Sequence, residues 1–222
     1  MTIAEEIKTM MAGSSWIRKM FEEGAKLKAQ HGPENVYDFS LGNPNLDPPD
    51  VFNKALETVI AETGPMGHGY MPNTGYFHVR RAVADYLSHE HGVDFTETEV
   101  IMTCGAAGAL NMILKAILDA GDEVITPSPY FVEYKFYAAN LGGTLKTVPT
   151  RPDFTLDIDA LSSAVTERTK AILINSPNNP TGQIYSEESL LALGRLLTQK
   201  CQAFSRTIYL ISDEPYRKVV YD

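Results

Sequence analysis

From about residue 100 onward, short apolar runs alternate with stretches of helical periodicity, and few folds accept that rhythm. Residues 100–103, 123–126, 144–148, 170–175 and 207–212 read as strands. Runs this short and this apolar suit strands covered on both faces. Between them, residues 106–120, 131–141, 157–165 and 187–204 carry helical spacing. The first of these places Leu110, Ile113, Leu114, Ile117 and Leu118 on one side, and Gly121 stops it. Repeated strand–helix units predict an α/β fold: three layers, with a mostly parallel sheet and helices on both faces.

The first hundred residues are less regular. Ser14 and Ser15 can cap a helix over 16–30 that Gly32 and Pro33 end. Residues 36–41 alternate apolar and polar as a short strand would, and Gly42, Pro44, Pro48 and Pro49 then mark a loop. Helices are expected over 50–62 and 76–91. Between them lies a long loop, 64–75, with four glycines, two prolines and Tyr70 near its middle.

Composition removes several classes of function. The chain has 222 residues, 28 of them acidic and 19 basic, for a net charge of −9. Phosphate backbones are bound by clustered Lys and Arg, so no nucleic acid is expected as a partner. No apolar run approaches the roughly 20 residues that span a bilayer, so no membrane is expected either. Residues 1–13 mix charges without an apolar stretch and do not read as a signal peptide. Two cysteines, Cys104 and Cys201, make no disulfide framework. A cytoplasmic protein is the expectation.

Ligands of open α/β sheets collect at the carboxyl ends of the strands, and four of the five predicted strands end distinctively. Gly105-Ala106-Ala107 follows the first; small residues at a helix start expose free amides that hold an anion, or simply make a tight turn. Tyr130 follows Pro129; it can cover a flat ligand or sit in the core beside Phe131, Tyr134 and Tyr137. Asn178-Asn179-Pro180-Thr181-Gly182 is a sound turn by itself. Asp213 closes a strand that should be buried; a carboxylate there is paired, capping or functional. Tyr216 stands three residues on. Together these give an anion cradle, a stacking ring, an amide, a phenol and a buried carboxylate. A planar phosphorylated heterocycle with a basic ring nitrogen fits that set, and pyridoxal phosphate has those parts.

With these residues in view, the sequence resembles the class I/II aminotransferases of the fold-type I pyridoxal-phosphate enzymes. The resemblance runs from Ser14-Ser15-Trp16-Ile17 to Asp222 and rests chiefly on two motifs. These are Asn178-Asn179-Pro180-Thr181-Gly182 and, about thirty residues later, Ser212-Asp213-Glu214-Pro215-Tyr216. It implies that Gly105, Ala106 and Ala107 cradle the phosphate and that Tyr130 stacks on the pyridine ring. Asn179 and Tyr216 would bind the ring O3′, and Asp213 would pair with the ring nitrogen as the principal catalytic carboxylate, with Tyr216 beside it. Gly42 would bring backbone toward the substrate carboxylate. Tyr70 would reach the partner subunit's phosphate, which implies a homodimer with shared sites. The substrates implied are an amino acid and a 2-oxo acid; aspartate or an aromatic amino acid is the guess. Residues 1–45 would belong with a small domain and 46–222 would form the cofactor-binding large domain.

One part of the family pattern is missing. The Schiff-base lysine lies some tens of residues beyond the aspartate in such enzymes, and only nine residues follow Asp213 here. Lys218 is too near Asp213 for that role and reads as a surface residue. The fold is therefore expected to be incomplete at its C-terminus. A sheet ending there leaves an apolar edge, so the chain by itself is expected to be insoluble or oligomeric. Other readings remain. The same half-site serves C–S lyases and synthases of the fold, and a truncated, catalytically dead binding module would also carry it. A nicotinamide oxidoreductase would need a glycine fingerprint that is not found. His89-Glu90-His91 lacks the i, i+4 spacing of a zinc helix, so no metal is expected.

Overall fold

The computed structural model describes residues 3–39, 42, 46–64 and 67–220, which fall into two compact units, Met1–Gly69 and Tyr70–Asp222. In the first unit, helix α1 (Glu5–His31) begins well before residue 16. Glu5, Glu6, Lys8 and the methionines that follow are good helix formers, so the helix runs on through residues 13–15. Gly32 ends the helix with φ of +83°, and its N–H returns to the Lys28 carbonyl at 3.0 Å. The expected strand at 36–41 is absent over 36–39, where no neighbouring strand offers ladder bonds; residues 40 and 41 lie outside the described ones. Helix α2 (Asp50–Glu62) follows Pro49 as expected. None of its residues is buried, and Val51, Phe52, Leu56, Val59 and Ile60 are all exposed.

The second unit holds α3 (Phe77–His91), α4 (Gly105–Ile117), β1 (Glu123–Ser128), α5 (Tyr134–Ala139), β2 (Thr144–Pro149), α6 (Ile158–Ala164), β3 (Thr169–Asn175), α7 (Glu187–Phe204) and β4 (Tyr209–Asp213). The four strands are parallel in the order β2-β1-β3-β4. The chain steps from β1 to β2 over α5, then back past β1 to β3 and on to β4. Right-handed crossovers oblige the helices to change faces where the direction reverses. Side-chain alternation matches this arrangement. Val124, Ala171 and Leu173 pack with Leu110 and Leu114 of α4 and Tyr134 and Ala138 of α5. Ile125, Ile172 and Ile174 pack on the other face with Leu161 of α6 and Leu193, Leu196 and Leu197 of α7. This is the three-layer fold that the alternating pattern predicts.

Three expectations fail locally. Residues 100–103 form no strand; among the described residues no strand lies beside them, and the Met102 N–H bonds the Thr74 carbonyl at 3.0 Å instead. Helix α5 is shorter than its apolar pattern, because residues 131–133 turn first, with the Tyr134 N–H on the Phe131 carbonyl. Helix α4 stops at Ile117, and Gly121, at φ of +83°, turns the chain into β1.

At the amino end of the sheet, far along the strands from their carboxyl ends, Asp122 is buried. It accepts from Arg206 Nη2 at 2.7 Å and from the Asp119 N–H at 3.0 Å, and Lys170 Nζ lies at 3.9 Å. Burial works to raise its pKa, but the Asp119 N–H, Arg206 and Lys170 together outweigh it and hold the carboxyl below its ordinary value of 3.8. A lowered carboxylate stabilises the fold above its ordinary pKa, and that contribution is lost as pH falls through the folded value. Arg206→Ala should cost about 1–3 kcal/mol at pH 7, measured by chemical unfolding. The deficit should shrink below pH 3.8, leaving only the loss of the Arg206 bond to the Glu167 carbonyl.

Among the described strands β4 is paired on one side only, by β3. Its residues Tyr209 and Leu210 are exposed. An apolar strand edge is a template for pairing with other chains. Residues 1–222 produced alone should therefore self-associate or precipitate. A monomer in sedimentation with a sharp cooperative melt would contradict this.

Candidate active site

The carboxyl ends of β3 and β4 meet the start of α4 around a cleft of about 230 Å³. The β3–β4 register sets Asn175 beside Asp213, the last residues of the two strands. Both share the parity of Leu173, so both belong to the face covered by α4 and α5.

Asp213 is buried at the cleft wall, and its Oδ2 accepts from the Tyr134 hydroxyl at 2.6 Å. Burial, and then the adjacent Asp213 carboxylate, push the Tyr134 phenol far above its ordinary value, so it remains a donor throughout the accessible pH range. Asn175 makes two bonds through one amide. Its Nδ2 donates to the Asp213 carbonyl at 2.7 Å, and its Oδ1 accepts the Asn179 N–H at 2.6 Å. That side chain ties the end of β4 to the turn carrying Asn179. The turn is closed by its own bonds: Gly182 N–H to the Asn178 carbonyl at 2.7 Å, and Thr181 Oγ1 to Asn178 Oδ1 at 2.9 Å. Asn179 Nδ2 then reaches the Tyr216 hydroxyl at 3.4 Å. An amide and a phenol thus face one spot of the cleft, with the carboxylate of Asp213 along the same wall.

Across the cleft, Gly105 opens α4 at φ of +70°, a conformation that favours glycine. An added Cβ there would meet nothing within 4 Å, so the backbone, not crowding, sets the requirement. The first amides of a helix have no partner within it, and Ala106 and Ala107, both small, line the cleft at that end. The helix dipole adds positive potential. Asp213 and the start of α4 therefore line one cleft.

Ala106, Ala107, Asn179, Asp213 and Tyr216 are brought together as lining of this cleft, with Gly105 opening the same helix. Tyr130 is not among the lining residues; half-buried, its ring lies 6.5 Å from that of Tyr134 at an interplanar angle of 20°. Phe131 and Tyr137 supply the aromatic walls instead. Tyr70 is fully exposed. Gly42 is exposed and belongs to the first compact unit. Lys218 bonds Glu90 and lies 5.6 Å from the centre of the Tyr86 ring. The Lys218 ammonium is the largest influence on Glu90, with Arg217 assisting at 2.7 Å, and its carboxyl is held down at about 2. That pairing accounts for the middle of the His89-Glu90-His91 cluster. Among the described residues no group of His, Cys, Asp and Glu is arranged to hold a metal, and no helix is long and apolar enough to cross a membrane.

Two residues of the site escape a reading by motif. Tyr134 looks like one more core aromatic, and Asn175 like the first residue of a turn. The available signal for Asn175 was a polar side chain at the last position of an otherwise apolar strand.

The donor set fits pyridoxal phosphate: an anion cradle at a helix start, an amide and phenol pair, and a buried carboxylate with one oxygen engaged by protein. Comparison with known proteins agrees with the fold. The family model for aminotransferase class I and II matches residues 34–222, and the chain belongs to that family. It is 39% identical over 189 residues to the probable aspartate/prephenate aminotransferase of Aquifex aeolicus, covering 84% of this chain and 46% of that protein. It is 31% identical to the aspartate aminotransferase of Pyrococcus horikoshii over 99% of this chain and 52% of that one. Among solved structures, an amino transferase from Eubacterium rectale superposes with a TM-score of 0.94 at 40% identity, over 100% of this chain and 56% of that one. A mutant of the Thermus thermophilus aspartate aminotransferase gives 0.84 at 33% identity, over 100% of this chain and 55% of its own. The chain thus spans about half the length of the relatives it matches.

Proposed function

We propose that the intact protein is a pyridoxal-phosphate-dependent aminotransferase that moves an amino group between an amino acid and a 2-oxo acid. Residues 1–222 are then its N-terminal portion. Residues 46–222 supply the cofactor-binding large domain, and residues 1–45 belong with the small domain. The observation that carries this reading is a single cleft lined both by the buried Asp213 and by Ala106 and Ala107 at the start of α4.

When bound, the cofactor supplies an electron sink for bonds at the amino acid's α-carbon. The chain's own residues set the conditions for that chemistry. Asp213 holds a proton at the ring nitrogen by charge pairing. Asn179 and Tyr216 hydrogen-bond the ring oxygen and fix the ring's rotation. The amides of Ala106 and Ala107 anchor the phosphate, with Gly105, whose own N–H bonds the Thr103 carbonyl at 3.0 Å, shaping the turn before them, and Gly42 lends backbone to the substrate carboxylate. Tyr130 covers the ring face once it swings from its contact with Tyr134. Lys218 is too near Asp213 in sequence to be the lysine that takes up and returns the α-proton, and its bond to Glu90 supports reading it as a surface residue.

A homodimer follows from Tyr70, which reaches the partner subunit's phosphate. Its complete exposure and the exposed apolar residues of α2 support that reading. Free Cys104 and Cys201 suit a reducing cytoplasm. The test is isotope transfer: the intact protein, given pyridoxal phosphate, ¹⁵N-aspartate and 2-oxoglutarate, should produce ¹⁵N-glutamate. No transfer from aspartate or from aromatic amino acids would overturn the proposal.

A further inference from the structure

We infer that Tyr134 is a positioning residue for the ring-nitrogen carboxylate: its hydroxyl fixes Asp213 Oδ2 so that Oδ1 is the oxygen left to the cleft. The inference rests on the pyridoxal-phosphate reading of the site and adds to it a residue outside the ligand's reach.

A carboxylate at a strand end has a freely turning terminal torsion. Either oxygen can face a ligand, and a ring nitrogen gains most from one held in line before it arrives. Asp213 has that restraint. The Tyr134 hydroxyl donates to Oδ2 at 2.6 Å, a short charge-assisted bond in buried surroundings. Tyr134 is itself held rigidly. Its side chain is 1% exposed, and Phe131 meets it edge-on with ring centres 5.5 Å apart. Tyr137 packs at 6.5 Å on another side. A ring so enclosed cannot swing its hydroxyl away, and the phenol stays protonated because burial and the Asp213 charge both disfavour its ionisation. Asn175 restrains the backbone of the same residue through the Asp213 carbonyl. Main chain and one carboxylate oxygen are therefore fixed independently, and one oxygen remains.

The test is a comparison of two ligands rather than of two activities. Pyridoxal phosphate and its 1-deaza analogue, which has carbon in place of the ring nitrogen, are titrated into the intact protein by equilibrium dialysis. The wild type should prefer pyridoxal phosphate, and Asp213→Ala should abolish the preference. Tyr134→Phe, which keeps the packed ring, should reduce the preference about tenfold while binding the deaza analogue as the wild type does. In an Asp213→Ala background it should change nothing. Equal weakening of both ligands would make Tyr134 a merely structural residue and overturn the inference, as would a preference left intact. If the wild type itself shows no preference, the reading of the site fails instead. Should Tyr134→Phe not fold, 3-fluorotyrosine placed at position 134 keeps ring and hydroxyl and donates more strongly. It should raise the preference, and an unchanged preference would count against the inference.

Discussion

Asp213→Ala in the intact protein should lower transamination turnover by about 10²- to 10⁴-fold. Removing one member of a buried charge pair costs about 3–5 kcal/mol, and each 1.36 kcal/mol is a factor of ten in rate. Asp213 lies at the end of β4, buried, with one oxygen on Tyr134 and its carbonyl on Asn175. Among the described residues no other carboxylate lines the cleft to take its place. Asp213→Asn should fare no better, because it keeps the shape and lacks the charge that holds a proton on the ring. Turnover within a few-fold of wild type for either variant, measured with aspartate and 2-oxoglutarate, would show that Asp213 does not face the ring nitrogen.

Asn175→Ala should be the most damaging single change to the frame of the site. It deletes the bond to the Asp213 carbonyl and the bond from the Asn179 N–H, at 2.7 and 2.6 Å. The first leaves the buried Asp213 carbonyl without that partner, at about 1–3 kcal/mol, and the second frees a part-buried N–H at a smaller cost. Chemical unfolding should show that loss. Affinity for pyridoxal phosphate should fall with it, since Asn179 and Asp213 would no longer be held in register. Asn175→Asp separates the two bonds: it keeps an acceptor for Asn179, loses the donor, and sets a carboxylate against a carbonyl oxygen. It should be at least as unstable as Asn175→Ala at neutral pH. Wild-type stability in both would mean that the strand ends are held by the sheet alone.

The sheet was legible chiefly in β1 and β3, whose apolar runs are buried on both faces, while β2 and β4 are largely exposed. The run Ala171-Ile172-Leu173-Ile174 sends alternate side chains into both clusters. The α7 boundaries follow from Ser186, whose side chain accepts the Ser189 N–H, and from the turn after Phe204. The strand expected at 100–103 was misread because period and apolarity describe a strand's faces and say nothing of its edges; with no neighbour among the described residues, the Met102 amide turns to Thr74. The start of α1 is hidden in the sequence because Ser14 and Ser15, residues that favour a cap, lie within a helix that begins at Glu5. In the site, the polar residues at strand ends were visible because they interrupt apolar patterns. Tyr134 was not, because it stands among other aromatics, Tyr130 and Tyr137 included, and its acceptor is 79 residues away in sequence.

The most direct test of the cofactor site is a crystal structure of the intact protein with pyridoxal phosphate. The ring nitrogen should lie within hydrogen-bond distance of Asp213 Oδ1, about 2.6–3.2 Å. The phosphate should rest on the amides of Ala106 and Ala107, and the ring oxygen between Asn179 and Tyr216. A cofactor bound elsewhere, or turned with its phosphate toward Asp213, would contradict the assignment.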